Sequence, residues 1–176
     1  MFSRALVLFG LFGTLFSCSP KEPNLETLIS HIRNDYPNEH FSIAPSMAAI
    51  FIDETLPGGS EFKALMEGFA SMEVIVISST KGIKDNNLDK LFNTVNMRLD
   101  RQDLTQLGQF RSEKEIVDVW GIRTTVITDL VVVNQTASFL YIVHFKGDID
   151  EQKVVAFLHP ENRPILDYLY RLKPNS

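Results

Sequence analysis

The 176 residues hold one cysteine and one tryptophan, with no basic run, internal repeat or low-complexity stretch. A lone cysteine, Cys18, excludes an internal disulfide framework as a source of stability. The four histidines, His31, His40, His144 and His159, include no pair at the i, i+4 spacing of a helical metal site. His144 alternates with Leu140 and Ile142, as a satisfied, partly buried histidine on a strand face would. There is no Gly-x-Ser-x-Gly elbow, P-loop, His-Glu-x-x-His or Gly-x-Gly-x-x-Gly, and Gly58-Gly59-Ser60 is too short to cradle a phosphate. Catalytic residues, metal ligands and cofactors are therefore not expected; a triad assembled from scattered serines and acids is left to the fold. The formal net charge of −5 leaves no electrostatic footprint for nucleic acid or anionic lipid. The N-terminal apolar run, Ala5 to Phe16, falls short of the roughly 20 residues a spanning helix needs. Pro20 and Lys21-Glu22 stop it from extending.

What the N-terminus does contain is an export signal. Arg4 supplies the positive start, Ala5 to Phe16 the apolar stretch, and Ser17 a small residue at the cut site. Leu15-Phe16-Ser17-Cys18 resembles the bacterial lipobox, Leu-x-(small)-Cys, with Phe16 standing where a small residue is usual. The resemblance implies that residues 1–17 are a cleaved lipoprotein signal peptide and that Cys18 carries the lipid. It also explains why an exported chain keeps a single thiol. Each buried methylene adds about 0.8 kcal/mol, so two or three acyl chains hold a protein on a membrane firmly. Residues 18–24 then read as a short tether, extended by Pro20 and Pro23. No aspartate follows Cys18, as in lipoproteins sent on to the outer membrane, and that envelope location is the expectation. Lys21-Glu22 reads as solvated linker rather than a surface-export signal, and either leaflet is compatible with these residues.

Residues 25–176 have the size of one domain. Loss of Arg4 with the signal makes the mature chain one unit more acidic. Leu25, Leu28, Ile29 and Ile32 form the apolar stripe of a first helix, capped by Asn24 and ended by Pro37. Phe41-Ser42-Ile43 suits a short strand, and Met47 to Ile52 suits a helix or a strand equally. Pro57 to Ser60 is a turn, and a second helix runs over Glu61 to Ala70. Met72 to Ser79 is a strand rich in β-branched residues. The clearest helix follows, with Leu88, Leu91, Phe92, Val95 and Leu99 in register. Arg101 to Arg111 reads as a looser connector, with Leu104, Leu107 and Phe110 facing inward. Strands at Glu115–Arg123, Thr125–Val133 and Ser138–Lys146 come next, the last two joined by a hairpin at 134–137. Gly147 to Asp150 turns into a helix over Glu151 to Leu158, and a terminal helix is expected over Ile165 to Leu172.

The fold class expected is α+β: one domain with a mostly antiparallel sheet of about four strands. The order is β-α-β-β-β-α, with helices packed on the sheet and a helical segment at the N-terminus. Asp148, Asp150 and Glu151 form the densest acidic cluster. A helix start, with Gly147 turning and Asp150 capping, accounts for them better than a calcium loop does.

The stretch Asp103 to Leu107, the hairpin and the closing Phe145-Lys146-Gly147-Asp148-Ile149-Asp150, taken with the lipobox, resemble a Bacteroidetes family of small lipoproteins of unknown function. Leu104 and Leu107 stand where that family usually carries a tyrosine. The resemblance brings no activity, because the family has no established site residues to carry over. The expected function is that of a membrane-anchored envelope lipoprotein acting as a non-catalytic interaction or accessory module. Its partners would be a membrane, through Cys18, and an envelope protein, with no nucleic acid. The alternative is a module binding a small ligand or peptide in a pocket lined by residues such as Trp120, Phe139 and Tyr141. A hydrolase ranks below both.

Overall fold

The computed structural model describes residues 24–36, 40–50, 52–55, 57–79, 86–102 and 104–159. The expected signal segment, Cys18 with the tether before Asn24, Pro37 and the terminal helix all lie outside the described residues.

Among the described residues, eleven elements follow in chain order. They are α1 (Leu25–Asp35), β1 (His40–Ile43), α2 (Pro45–Ile50), α3 (Gly59–Met66), β2 (Phe69–Ser78) and α4 (Asn86–Asp100). Then come β3 (Thr105–Arg111), β4 (Glu115–Arg123), β5 (Ile127–Thr136), β6 (Phe139–Ile149) and α5 (Glu151–Phe157). The strands form one antiparallel sheet in the order β1-β2-β6-β5-β4-β3. The fold is thus α+β, as expected, but with six strands rather than about four.

Two strands account for the difference, one misread locally and one expected as a strand but not counted in the sheet. The segment taken for a connector is β3. Its alternation is hidden by a bulge between Gln106 and Gly108, which leaves Leu104 on one side of the sheet and Leu107 and Phe110 on the other. The short strand at 41–43 is real and joins the sheet as its other edge. A third correction concerns the second helix, which ends at Met66, so that Phe69 opens β2 instead of extending a helical stripe. Met47 to Ile50 belongs to a helix, settling the ambiguity there.

Helices cover both faces, which absorbs the apolar surface that β5 and β6 carry on each side. On the first face, α2, α3 and α5 pack over Val74, Val76, Val119, Leu130, Val132 and Val143. On the second, α1 and α4 pack over Ile75, Ile77, Val131, Val133, Leu140 and Ile142. The four residues predicted for the α1 stripe are all buried. Asn24 caps that helix, its Oδ1 accepting from the Thr27 amide at 2.9 Å and the Thr27 hydroxyl at 2.8 Å.

The Phe145-to-Asp150 motif has a structural explanation for each of its four key residues. Phe145 stacks on Phe69 with ring centroids 4.3 Å apart. Gly147 faces Phe69 in the β2–β6 register, and a Cβ there would lie 2.2 Å from the Gly68 carbonyl oxygen. Only glycine admits that approach. Ile149 is fully buried, and Asp150 caps α5 by accepting from the Gln152 amide at 2.8 Å.

Candidate functional site

Strand alternation sends Leu140, Ile142, His144 and Lys146 of β6 to the face that α1 covers. The upper part of this row is core, but its last two members are polar. Across the sheet, Glu73 sits opposite His144, and Asp129 sits opposite Lys146. The first turn of α1 adds Glu26, and its last turn adds Arg33. A cavity of about 300 Å³ opens here, lined among others by Glu26, Ser42, Ser71, Glu73, His144 and Lys146.

The polar groups in and around the cavity satisfy one another. His144, 4 % exposed, has Nε2 at 2.9 Å from Asp129 Oδ1. Arg33 donates to Glu73 Oε1 at 3.2 Å, and Lys146 pairs with Glu26. Donor atoms of Glu26, Asp129 and His144 lie within 4.8 Å of one another, close enough for a shared cation. Lys146, however, already sits against Glu26 and supplies the positive charge that a cation would bring. The cluster therefore works as an ion-pair network that seats α1 on the sheet. Ser42 and Ser71 line the cavity, yet neither hydrogen-bonds to His144, so among the described residues no hydroxyl is paired with the Asp129–His144 couple. His144 is hydrogen-bonded, as its alternation predicted, and more fully buried than the partly buried residue expected.

The other expected candidates separate. Trp120 lies under α4, its indole N–H donating to Asn96 Oδ1 at 2.8 Å. Phe139 and Tyr141 belong to the opposite face, with rings 5.8 Å apart. The three aromatics expected to line one pocket thus cannot do so, because the sheet stands between them. Burial pushes the Tyr141 phenol above its ordinary pKa. Asp148, Asp150 and Glu151 border a shallow groove at the start of α5, and Asp150 is spent on the cap. Asp53 is held below the usual carboxylate range by accepting from the Thr55 hydroxyl and amide.

Two surface features remain that sequence reading missed. The first is the outer edge of β3. Among the described residues no strand pairs with it, and Thr105 to Phe110 carries no charge. The second is α2, which bears no charged residue and exposes Met47 (57 %) and Ile50 (76 %). The signal for the second was legible: Ile43 to Ile52 is a charge-free run ending at Asp53. Among the described residues no helix is long and apolar enough to cross a membrane.

Residues 37–157, more than half of the chain, match the family described as Domain of unknown function (DUF4252), and the chain belongs to that family. No curated protein and no solved structure matches it.

Proposed function

We propose that this is a lipid-anchored protein of the cell envelope, held on the outer membrane through Cys18, whose domain is a non-catalytic module acting by protein contact. The observation that carries the contact reading is the β3 edge. A strand of seven residues, charge-free over its first six, is an outermost strand of the sheet, with no further strand beside it among the described residues. Sheets ordinarily blunt such edges with charge or proline, and an extended segment of another protein adds to them readily. The bulge at Leu107 limits the reach of such a strand without closing the edge.

The test is site-specific photocrosslinking in whole envelopes. A photoreactive residue at Thr105 or Arg111, both exposed on β3, is expected to yield an adduct with an envelope protein, whereas one at Lys90 on α4 yields none. The same strain carrying Cys18→Ala is expected to lose the adduct with the anchor. Adducts of equal yield from β3 and α4, or from neither, would remove the contact reading.

The cavity beneath α1 favours a second reading, a site for a small polar ligand. Its Lys146, Glu73 and Ser42 could address such a ligand once the internal pairs open. Titration calorimetry against a panel of small anions and sugars decides it, and heats indifferent to Lys146→Met would end it.

A further inference from the structure

We infer that α2 is a membrane-dipping element: Met47 and Ile50 enter the interface of the bilayer to which Cys18 is fixed. The inference rests on the anchor proposed above and assigns the exposed apolar helix to lipid rather than to protein.

The first argument is reach. The chain from Cys18 to Asn24, the cap of α1, spans at most about 20 Å even when fully extended. The start of α1 therefore cannot leave the headgroup region by more than that distance. The second is adjacency. Glu26, in the first turn of α1, and Ala44, which immediately precedes α2, line the same cavity. The Met47 amide donates to the Ala44 carbonyl at 2.9 Å, so α2 starts beside the point where the tether enters. α1 and α2 pack on opposite faces of the sheet, and the first turn of α1 and the start of α2 meet at one cavity beside the edge strand β1.

The third argument is chemistry. Pro45 to Ile50 has neither acid nor base, while Ala48 on its inner side is buried in the core. A protein-facing rim normally carries polar groups around its apolar centre. Met47 and Ile50 outward give α2 an apolar face of the kind that is buried at the boundary between headgroups and acyl chains. The absence of charge also separates this contact from binding to anionic lipid. Insertion should therefore occur in vesicles of neutral lipid.

The chain's single cysteine makes the test clean. In a Cys18→Ser background, Ile50→Cys carries the only thiol and takes an environment-sensitive fluorophore. A histidine tag at position 18 tethers the protein to phosphatidylcholine vesicles doped with a nickel-chelating lipid, which reproduces the short tether without acylation. Lys90→Cys on α4 is the control. It lies beside Asp89, which holds Gln135 at the far end of β5 from Asp129. The expected result is a blue shift and a severalfold rise in emission at position 50, none at position 90, and loss of the signal with Met47→Glu. Both substituted positions on α2 are exposed, so the core is undisturbed. Tethered protein with no change at position 50 overturns the inference. So does a shift that needs added envelope protein, which would reassign α2 to a protein partner, or one that grows with protein density, which would reassign it to a second copy. None of these outcomes touches the anchor reading, because the tag supplies the attachment. That reading stands or falls on incorporation of labelled fatty acid at Cys18, abolished by Cys18→Ala.

Discussion

The two faces of the sheet are made by the same strands, residue by residue in alternation, yet they are stabilised differently. On the face under α2, α3 and α5, β6 contributes Tyr141, Val143, Phe145 and Ile149, and Phe145 closes the row by stacking on Phe69. On the face under α1 and α4, the row Leu140, Ile142 ends in His144 and Lys146, which meet Asp129 and Glu26. The first face is held mainly by apolar packing, with Asn134 donating to Glu115 at 3.1 Å beyond Val132. The second adds the paired groups of His144, Asp129, Lys146 and Glu26 at one end and the Gln135–Asp89 contact at the other. Burying apolar area is worth about 25 cal/mol per Å² regardless of direction. A buried polar group contributes only while its partner is in place, and costs stability once the partner is removed.

That contrast can be broken by experiment, beginning with the largest effect. Phe145→Ala should cost about 3–5 kcal/mol in urea unfolding, because it leaves a cavity against Phe69 as well as losing buried area. On the other face, Asp129→Ala should cost roughly 1–3 kcal/mol by stranding the buried His144 nitrogen. Replacing both partners, Asp129→Val with His144→Leu, should recover most of that loss, since a pair exchanged for apolar groups of similar shape is often near neutral. If the double replacement unfolds the domain, the polar end of the second face is a structural requirement rather than a tolerated exception. If Phe145→Ala costs no more than Asp129→Ala, the difference between the faces is not energetic.

Smaller effects sharpen the picture at the helix ends. Asn24→Ala on α1 and Asp150→Ala on α5 each remove a side-chain cap and should each cost about 1 kcal/mol. Lys63→Ala breaks only the exposed pair with Glu54 and should change stability by less than about 1 kcal/mol, fading further in salt. The smallest is a difference in pH dependence. The Tyr141 phenol is raised above 10.0 by burial, so the folded chain keeps a proton that the unfolded chain releases. Its contribution is intact below pH 10 and declines above it as the unfolded state ionises first. Tyr141→Phe should therefore flatten the alkaline limb of the stability curve, and an unchanged limb would assign that limb to other groups.

Much of the fold could be read from short-range pattern. The α1 stripe and its Asn24 cap, the α4 stripe from Leu88 to Leu99, and the Asp150 cap were visible because helical contacts recur at i, i+3 and i+4. The strands β4, β5 and β6 were visible as β-branched and aromatic runs bounded by polar or turn residues. β3 was missed because its bulge interrupts the strand alternation between Gln106 and Gly108. Phe69 was misplaced because it fits the spacing of Phe62, Leu65 and Met66, and only the approach of Gly147 shows it to be a strand residue. The candidate site was less legible. His144 was recognised as a satisfied histidine, but its partner Asp129, 15 residues away, was not.

The sequence by itself determined most of the helices and strands, where several of them start, and that the domain is α+β. It also carries the lipobox-like run to Cys18, the ground for proposing an anchor. Tertiary structure alone decided that Trp120 stands on the opposite side of the sheet from Phe139 and Tyr141. It alone brought Arg33 to Glu73 across 40 residues and Gln135 to Asp89 across 46. It also left Met47 and Ile50 of α2 outside while Ala48 entered the core. The physical reason is range. Alternation and capping are settled by neighbours a few bonds away, so they are written locally. Which strand lies beside which, and what that pairing leaves uncovered, depends on how the whole chain minimises its exposed apolar surface at once.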